Sequence, residues 1–210
     1  MNFDRPLNVV TPTVDGEVLT ALALADAWFT TGRLHQTIGR HSEDGIRRVL
    51  RRLAEQGIIE TLSGGPAVLY RLNRRHLAAP AVIQLANLRW ELVHRLSDAL
   101  TRWTVTPVFA ALFGSAAFRS MSADSDIDLL LVRPDAITDI DRWAESTAEL
   151  QKDVSAWTGN DARVFELTEQ DVLQRAAEEP VIGDVLDHGI PLIGAMEWVA
   201  RHRHLTGHHG

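Results

Sequence analysis

The segment Val108–Arg133, VFAALFGSAAFRSMSADSDIDLLLVR, decides the fold of the C-terminal half of the chain. Its apolar run Val108–Phe113 predicts a buried strand, which Gly114-Ser115 ends before a short helical piece. After ten intervening residues, Asp126-Ile127-Asp128 opens a second apolar run, Leu129–Val132. The pattern therefore predicts two buried strands, with polar residues at the end of the first and at the start of the second.

These polar residues are suited to binding a metal ion and a phosphate together. Residues i and i+2 of a strand point to the same side, so Asp126 and Asp128 aim at one spot. Adjacent carboxylates repel unless a cation lies between them, and Mg²⁺ takes carboxylate and phosphate oxygens together. Gly114 allows a close approach to the backbone, and Ser115 offers a hydroxyl and a backbone N–H at a helix start. The spacing predicts a site for metal-assisted phosphoryl or nucleotidyl transfer.

Gly114-Ser115 followed by Asp126-x-Asp128 at the start of an apolar strand resembles the DNA polymerase β-like nucleotidyltransferase superfamily, in particular its minimal bacterial branch. The resemblance implies a mixed sheet with helices packed on it, a triphosphate held by Gly114 and Ser115, and Mg²⁺ (or Mn²⁺) held by Asp126 and Asp128. The implied reaction moves a nucleoside monophosphate from a nucleoside triphosphate, most commonly ATP, to a hydroxyl acceptor. The acceptor, whether protein, RNA or small molecule, stays open.

A later strand departs from the family pattern. The family usually carries a third carboxylate there, whereas the predicted strand Ala162–Thr168 has Arg163 at that position. A cation at this place would occupy the space of a second metal ion. Glu166 and Asp161 are the nearby carboxylates that would complete the metal site in a shifted register. Glu166 lies three residues from Arg163 and therefore on the opposite face of the strand.

The residues after Gly-Ser depart as well. The family commonly continues with Ala-Arg-Gly, whereas this chain has Phe118 in place of the arginine and Arg119 in place of the glycine. Arg119 remains the candidate for a phosphate contact. These departures leave two hypotheses open. One is an active Mg²⁺-dependent nucleotidyltransferase. The other is a degenerate nucleotidyltransferase without turnover that acts as a DNA-binding transcriptional regulator or an antitoxin-like protein.

The N-terminal part predicts a winged helix-turn-helix. Apolar periodicity indicates helices at Glu17–Trp28, Thr30–Gly39 and Ser42–Gly57. Strands at Ile58–Leu62 and Ala67–Leu72 follow, with a Gly-Gly turn between them. In a winged helix-turn-helix the third helix enters the major groove and the hairpin touches the DNA backbone. Some bacterial proteins join such a module to a nucleotidyltransferase domain, and the chain resembles that group.

The third predicted helix carries arginines on the faces that its apolar stripe leaves exposed. Arginine contacts to phosphates position a protein on duplex DNA. A solvated surface and a protein-interaction module are the alternatives to this interpretation. The expected DNA contacts are Arg47, Arg48, Arg51 and Arg52 of the helix, together with Arg71 of the wing.

The 210 residues therefore divide into four predicted parts within an α+β (mixed α/β) protein. These are a winged helix-turn-helix at 1–79, a connector helix at 80–104, a nucleotidyltransferase domain at 105–196 and a flexible His-rich tail at 197–210. The connector either packs between the domains or forms the seam of a homodimer.

Composition and charge exclude several classes of protein. The chain has no cysteine, which excludes disulfides, thiolate catalysis and cysteine-bound metals. Its net charge is −7, but the first 79 residues carry ten arginines against eight acidic residues, and the excess of acid lies in the remainder. No apolar run approaches the ~20 residues that span a bilayer. The N-terminus lacks a signal-peptide pattern, so we expect a cytoplasmic protein with no membrane partner.

Overall fold

The computed structural model describes residues 1–65, 67–118, 120–122 and 124–206. The chain forms two compact units, one made of Asn2 with Asp4–Arg89 and the other of Met1 and Phe3 with the residues from Trp90 onward. Both contain helices and a β-sheet, which confirms the predicted α+β class. In the described residues, no helix combines the length and the apolar character needed to cross a membrane.

The N-terminal unit has the arrangement predicted for a winged helix-turn-helix. Three helices precede an antiparallel hairpin, and a further helix follows it. A short 3₁₀ turn lies at Pro6–Val9, and the other elements are α1 Val14–Leu24, α2 Thr31–Ile38, α3 Glu43–Glu55, β1 Ile59–Gly64, β2 Ala67–Leu72 and α4 Ala79–Ala86.

Local capping fixes where α2 and α3 begin. The Thr30 hydroxyl accepts a hydrogen bond from the Arg33 N–H at 3.2 Å, and the Ser42 hydroxyl accepts one from the Gly45 N–H at 3.1 Å. Such caps satisfy backbone donors that have no partner inside the helix. Gly39, in the left-handed region with φ 71°, ends α2. The apolar faces of the three helices then meet in one core, which includes Val18, Leu22, Leu34, Ile46 and Leu50.

The first helix differs from its predicted bounds. It begins at Val14 and ends at Leu24, so Trp28 and Phe29 lie outside it. Phe29 instead exchanges two backbone hydrogen bonds with Tyr70 of β2, at 2.9 and 2.8 Å. This bridge holds Phe29 in extended backbone and buries its ring, which local periodicity does not reveal.

The predicted connector helix over 80–104 is two helices, α4 and α5 Leu88–Thr101. The break lies at Asn87, whose backbone N–H and side-chain amide both donate to the Ile83 carbonyl, at 3.1 and 2.8 Å. A side chain that bonds the backbone in this way competes with the continuing helix. Ala79 and Ala86 of α4 belong to the core of the N-terminal unit.

The C-terminal unit contains a four-stranded mixed sheet with the strand order β5-β4-β3-β6. β3 pairs antiparallel with β4 and with β6, whereas β4 and β5 are parallel. The two central strands are almost fully buried. The elements after α5 are β3 Phe109–Phe113, α6 Gly114–Phe118, β4 Ile127–Arg133, α7 Ile140–Thr158, β5 Ala162–Thr168, α8 Glu169–Arg175, α9 Pro180–His188, β6 Ile190–Ile193 and α10 Met196–Thr206.

The segment predicted to be a flexible tail from residue 197 is largely helical. Helix α10 runs to Thr206, and residues 207–210 lie outside the described part of the chain. Val199 of this helix is fully buried in a core that also contains Phe109, Leu130 and Val185. This packing orders the segment, since most helical stability in proteins comes from tertiary contacts.

Candidate active site

The turn from β3 into α6 brings Gly114 against Asp128. Phe113, the residue before Gly114, is directly opposite Asp128 in the β3–β4 register. Gly114 has φ 65°, and a Cβ added to it would lie 2.5 Å from Asp128 Oδ2. Both the backbone conformation and the contact with the carboxylate therefore require glycine at this position. Ser115 follows as the second residue of α6.

Asp126 and Asp128 meet at the start of β4, on either side of the fully buried Ile127. The pKa of Asp128 is raised, first because burial disfavours its charged form and then because of the negative charge of Asp126. Asp184 adds a further upward contribution, while Arg163 lowers the pKa. Negative charge thus converges on Asp128, where a cation would be stabilised.

Arg163 is the cation that the described residues supply to this site. It lies opposite Asp128 in the parallel β4–β5 register. Its guanidinium Nη2 is 2.8 Å from Asp126 Oδ2. The Arg163 side chain is 73% exposed and that of Asp126 is 24% exposed, so the arginine reaches in from solvent.

The two substitute carboxylates do not join the site. Glu166 lies opposite Leu131 in the register and pairs with Arg133, with 3.3 Å between Oε1 and Nε. This is the face of β5 opposite to that of Arg163. Asp161 contributes its backbone carbonyl, which accepts a hydrogen bond from the Ile127 N–H at 2.8 Å. Within the described ranges, no three His, Cys, Asp or Glu side chains are grouped closely enough to hold a metal ion.

A third carboxylate that the sequence analysis missed lies beside Gly114. Asp184 of α9 accepts a hydrogen bond from the Gly114 N–H, with 3.2 Å between N and Oδ2. Its other oxygen is 3.5 Å from His188 Nδ1, one helical turn later. The His188 ring packs edge-on against Phe118, with 4.2 Å between ring centroids. The sequence does show that Asp184 and His188 are spaced i, i+4 on one helix face. It contains no local pattern that places Asp184 beside Gly114.

The carboxylate pair fits one Mg²⁺ ion. Proteins usually hold Mg²⁺ through one or two carboxylates, with water and substrate phosphates completing the octahedron. Burial and the charge of Asp126 raise the pKa of Asp128, and Asp126 is paired with the Arg163 guanidinium, so a cation at this place would stabilise the charged form of both carboxylates. Ser115, one of the predicted phosphate contacts, follows Gly114 in α6. Arg119, the other predicted phosphate contact, lies outside the described residues.

A cavity of about 440 Å³ is lined by Asp128 and by residues of β5. Its walls combine the rings of Phe113 and Phe165 with the polar groups of Asp128, Arg163 and Gln151. The rings offer apolar contact, and the polar groups offer hydrogen bonds. The cavity therefore has room for an organic group held beside the charged centre.

The predicted DNA contacts on α3 divide into two classes. Arg47 bonds Glu43 and Asp44 of its own helix at 2.9 and 2.7 Å, and Arg52 pairs with Asp15 of α1. Arg48 and Arg51 are exposed and form no ion pair within the part of the chain that the structure describes. The positive charge open to a polyanion is thus concentrated on these two side chains.

The wing arginine is engaged within the N-terminal unit. Arg71 pairs with Glu60, its cross-strand neighbour, at 2.8 Å. Its guanidinium also lies 4.6 Å from the centroid of the Trp28 ring. Stacking of this kind holds the arginine in place, so Arg71 is less available for DNA than the sequence predicts.

Comparison with known proteins gives weak similarities. No protein-family profile and no curated protein matches the chain. A toxin–antitoxin complex crystallised with AMP-PNP is 18% identical over 54% of this chain and 82% of its own, with a TM-score of 0.39. The Shewanella oneidensis tri-AMPylated HEPN toxin with MNT antitoxin is 19% identical over 56% and 82%, with a TM-score of 0.37. TrmBL2, an archaeal chromatin protein that binds DNA, is 14% identical over 86% and 75%, with a TM-score of 0.29. Similarities this low leave function to be argued from the site itself.

Proposed function

We propose that the C-terminal unit binds a nucleoside triphosphate with Mg²⁺, transfers its nucleoside monophosphate to a hydroxyl acceptor and releases pyrophosphate. The acceptor oxygen bonds to the α-phosphorus as it loses its proton, and the bond from that phosphorus to the β-phosphate breaks. One observation carries this proposal. Gly114 packs against Asp128 at the point where Asp126 and Asp128 converge, so that a phosphate-binding turn and a carboxylate pair share one place. Either feature alone is common, whereas together they would place a metal ion beside the phosphates whose charge it neutralises.

Each residue of the proposed site has its own role. Asp126 and Asp128 would hold the ion, and Gly114 and Ser115 would hold the triphosphate. Bound Mg²⁺ supplies Lewis-acid stabilisation of the negative charge on the phosphates. Asp184, now bonded to the Gly114 N–H, gives up that donor when a phosphate oxygen takes it. The cavity lined by Phe113 and Phe165 would take an organic part of a substrate.

The ion pair between Arg163 and Asp126 favours the second candidate, a degenerate nucleotidyltransferase. A guanidinium at this position leaves no carboxylate for a second ion, and Glu166 is committed to Arg133. Nucleotide would then bind without turnover, and the protein would act as a DNA-binding regulator or an antitoxin-like partner. The exposed Arg48 and Arg51 of α3 are the observation that supports duplex DNA binding in either case.

Transfer of label from [α-³²P]ATP to a cell extract tests the two candidates. The proposal expects incorporation by the natural protein, loss in Asp128→Asn, and normal incorporation in Asp153→Asn, which changes an exposed α7 carboxylate. The degenerate alternative expects no incorporation by the natural protein and a gain in Arg163→Asp. If Glu166→Gln or Asp161→Asn abolishes incorporation, that carboxylate completes the metal site in a shifted register, and our placement of both carboxylates outside the site is wrong.

A further inference from the structure

The turn between α7 and β5 contains a buried polar side chain that the proposed chemistry does not use. Gly159, with φ 70°, ends α7, and Asn160 follows with 5% of its surface exposed. A buried amide costs free energy unless its donors and acceptor are paired. The partners of Asn160 therefore indicate why an amide stands here.

Those partners hold the backbone on both sides of Asp126. The Asn160 Nδ2 donates to the Ser125 carbonyl at 2.8 Å, which fixes the residue before Asp126. The next residue, Asp161, accepts a hydrogen bond from the Ile127 N–H at 2.8 Å, which fixes the residue after it. The turn at 159–161 therefore holds, by hydrogen bonds, the residues on both sides of Asp126.

The turn is itself braced by its own hydrogen bonds. The Thr158 hydroxyl accepts a hydrogen bond from the Asn160 N–H at 3.1 Å and donates to the Val154 carbonyl at 2.7 Å. The Asn160 Oδ1 accepts a hydrogen bond from the Met1 amine, so both ends of the amide are engaged. Both the donor and the acceptor of an amide are needed here, and a carboxylate would place its oxygen against the Ser125 carbonyl.

We propose that Asn160 is a positioning residue for the metal-binding carboxylate Asp126. It acts through the backbone, by holding the Ser125–Ile127 segment so that the Asp126 side chain stays next to Asp128. The inference rests on the proposed function, because it assumes that the two carboxylates bind a divalent cation. Loss of a group that orients a metal ligand typically weakens metal affinity by about 10–100-fold.

Electron paramagnetic resonance of free Mn²⁺, titrated into the full chain with a non-hydrolysable ATP analogue, tests this role. Asn160→Ala removes the amide, and Asn160→Asp keeps its shape but loses the donor to Ser125. We expect both variants to bind Mn²⁺ about tenfold more weakly than the natural protein. Val172→Ala is the matched control for destabilisation, because Val172 is an apolar residue buried in α8 and takes no part in the hydrogen bonds of the turn.

The controls separate this inference from the proposed function. Asp126→Asn must lose Mn²⁺ binding if the carboxylate pair is the metal site, and unchanged binding in that variant overturns both. If Asp126→Asn loses binding while Asn160→Asp stays within twofold of the natural protein, the positioning role is wrong and the site stands. An equal loss in Val172→Ala would also overturn the positioning role, since reduced stability would then explain the effect. If Asn160→Ala does not fold, Asn160→Asp decides alone.

Discussion

Replacing Arg163 with glutamine should raise the affinity of the protein for Mg²⁺. In the natural protein an incoming ion competes with the guanidinium, whose Nη2 lies 2.8 Å from Asp126 Oδ2. The arginine is 73% exposed, so the ion pair is screened by solvent and contributes about 0.2–1 kcal/mol. Releasing Asp126 from this pair should therefore tighten Mg²⁺ binding by up to about fivefold. For the same reason, the free energy of unfolding should change by less than about 1 kcal/mol.

Isothermal titration of Mg²⁺ into the protein with a non-hydrolysable ATP analogue measures this effect. Arg142→Gln is the matched control, because it removes another exposed arginine, which is 57% exposed and paired with Glu145 on α7. It makes the same change in net charge away from the carboxylates. If Arg163→Gln binds Mg²⁺ no more tightly than Arg142→Gln, Arg163 does not compete with the ion and the assigned role of Asp126 is wrong.

Three further predictions concern the Gly114 turn, the cap of α8 and the exposed arginines of α3. Gly114→Ala should destabilise the protein by at least the ~1–2 kcal/mol that left-handed backbone costs, and should also weaken Mg²⁺ binding by moving Asp128. Gly39→Ala is the control, because Gly39 has φ 71° and an added Cβ would meet nothing within 4 Å. In denaturant titrations this control should show the backbone cost alone. The backbone N–H of Thr168, then its hydroxyl and Arg175, lower the pKa of Asp171 from 3.8 to about 2. The stabilisation by this carboxylate is therefore present above pH 3.8 and is lost as the pH falls through about 2. After solvent screening it is about 1 kcal/mol. The difference in unfolding free energy between the natural protein and Asp171→Asn should therefore shrink as the pH falls through this range. The double variant Arg48→Ala/Arg51→Ala should flatten the slope of log K against log[salt] for duplex DNA by about 2, and a slope equal to that of the natural protein would exclude α3 as the DNA-binding surface.

Local signals in the sequence predict the elements whose causes are local. Ser42 caps α3 because its hydroxyl and the Gly45 N–H are three residues apart, and a search for capping residues finds such a pair. The alternation of polar and apolar residues at Asp126-Ile127-Asp128 is also a local signal, and it predicts β4, in which Ile127 is buried between two polar positions. The alignment of Ala162–Thr168 on the family pattern then places Arg163 level with the carboxylates, and the parallel register has it opposite Asp128.

The features that the sequence analysis missed depend on contacts between distant residues. Asp184 meets the Gly114 N–H across 70 positions of the chain. The first helix ends at Leu24 rather than at Trp28, and Phe29 beyond it forms two backbone hydrogen bonds with Tyr70. The segment after residue 196 is ordered by burial of Val199 against strand residues such as Phe109. Propensity and periodicity are read within one segment and contain no information on these partners.

The same limitation applies to charge. All four arginines of α3 look equivalent in the sequence, because each lies outside the apolar stripe. The structure separates them: Arg47 is paired with acidic residues one turn earlier, and Arg52 reaches Asp15 of another helix. The pairing of Arg47 with Glu43 follows from their i, i+4 spacing and can be predicted from the sequence. The pairing of Arg52 with Asp15 required the packing of α1 against α3.

A crystal structure of the protein with Mg²⁺ and a non-hydrolysable nucleoside triphosphate tests the central claim most directly. The account predicts one Mg²⁺ held by Asp126 and Asp128, with the triphosphate against Gly114 and Ser115 and with the Gly114 N–H released from Asp184. It also predicts that the Arg163 guanidinium moves away from Asp126 or shares it with the ion. A triphosphate bound elsewhere, with Asp126 still paired to Arg163 and Asp184 still bonded to Gly114, would contradict it.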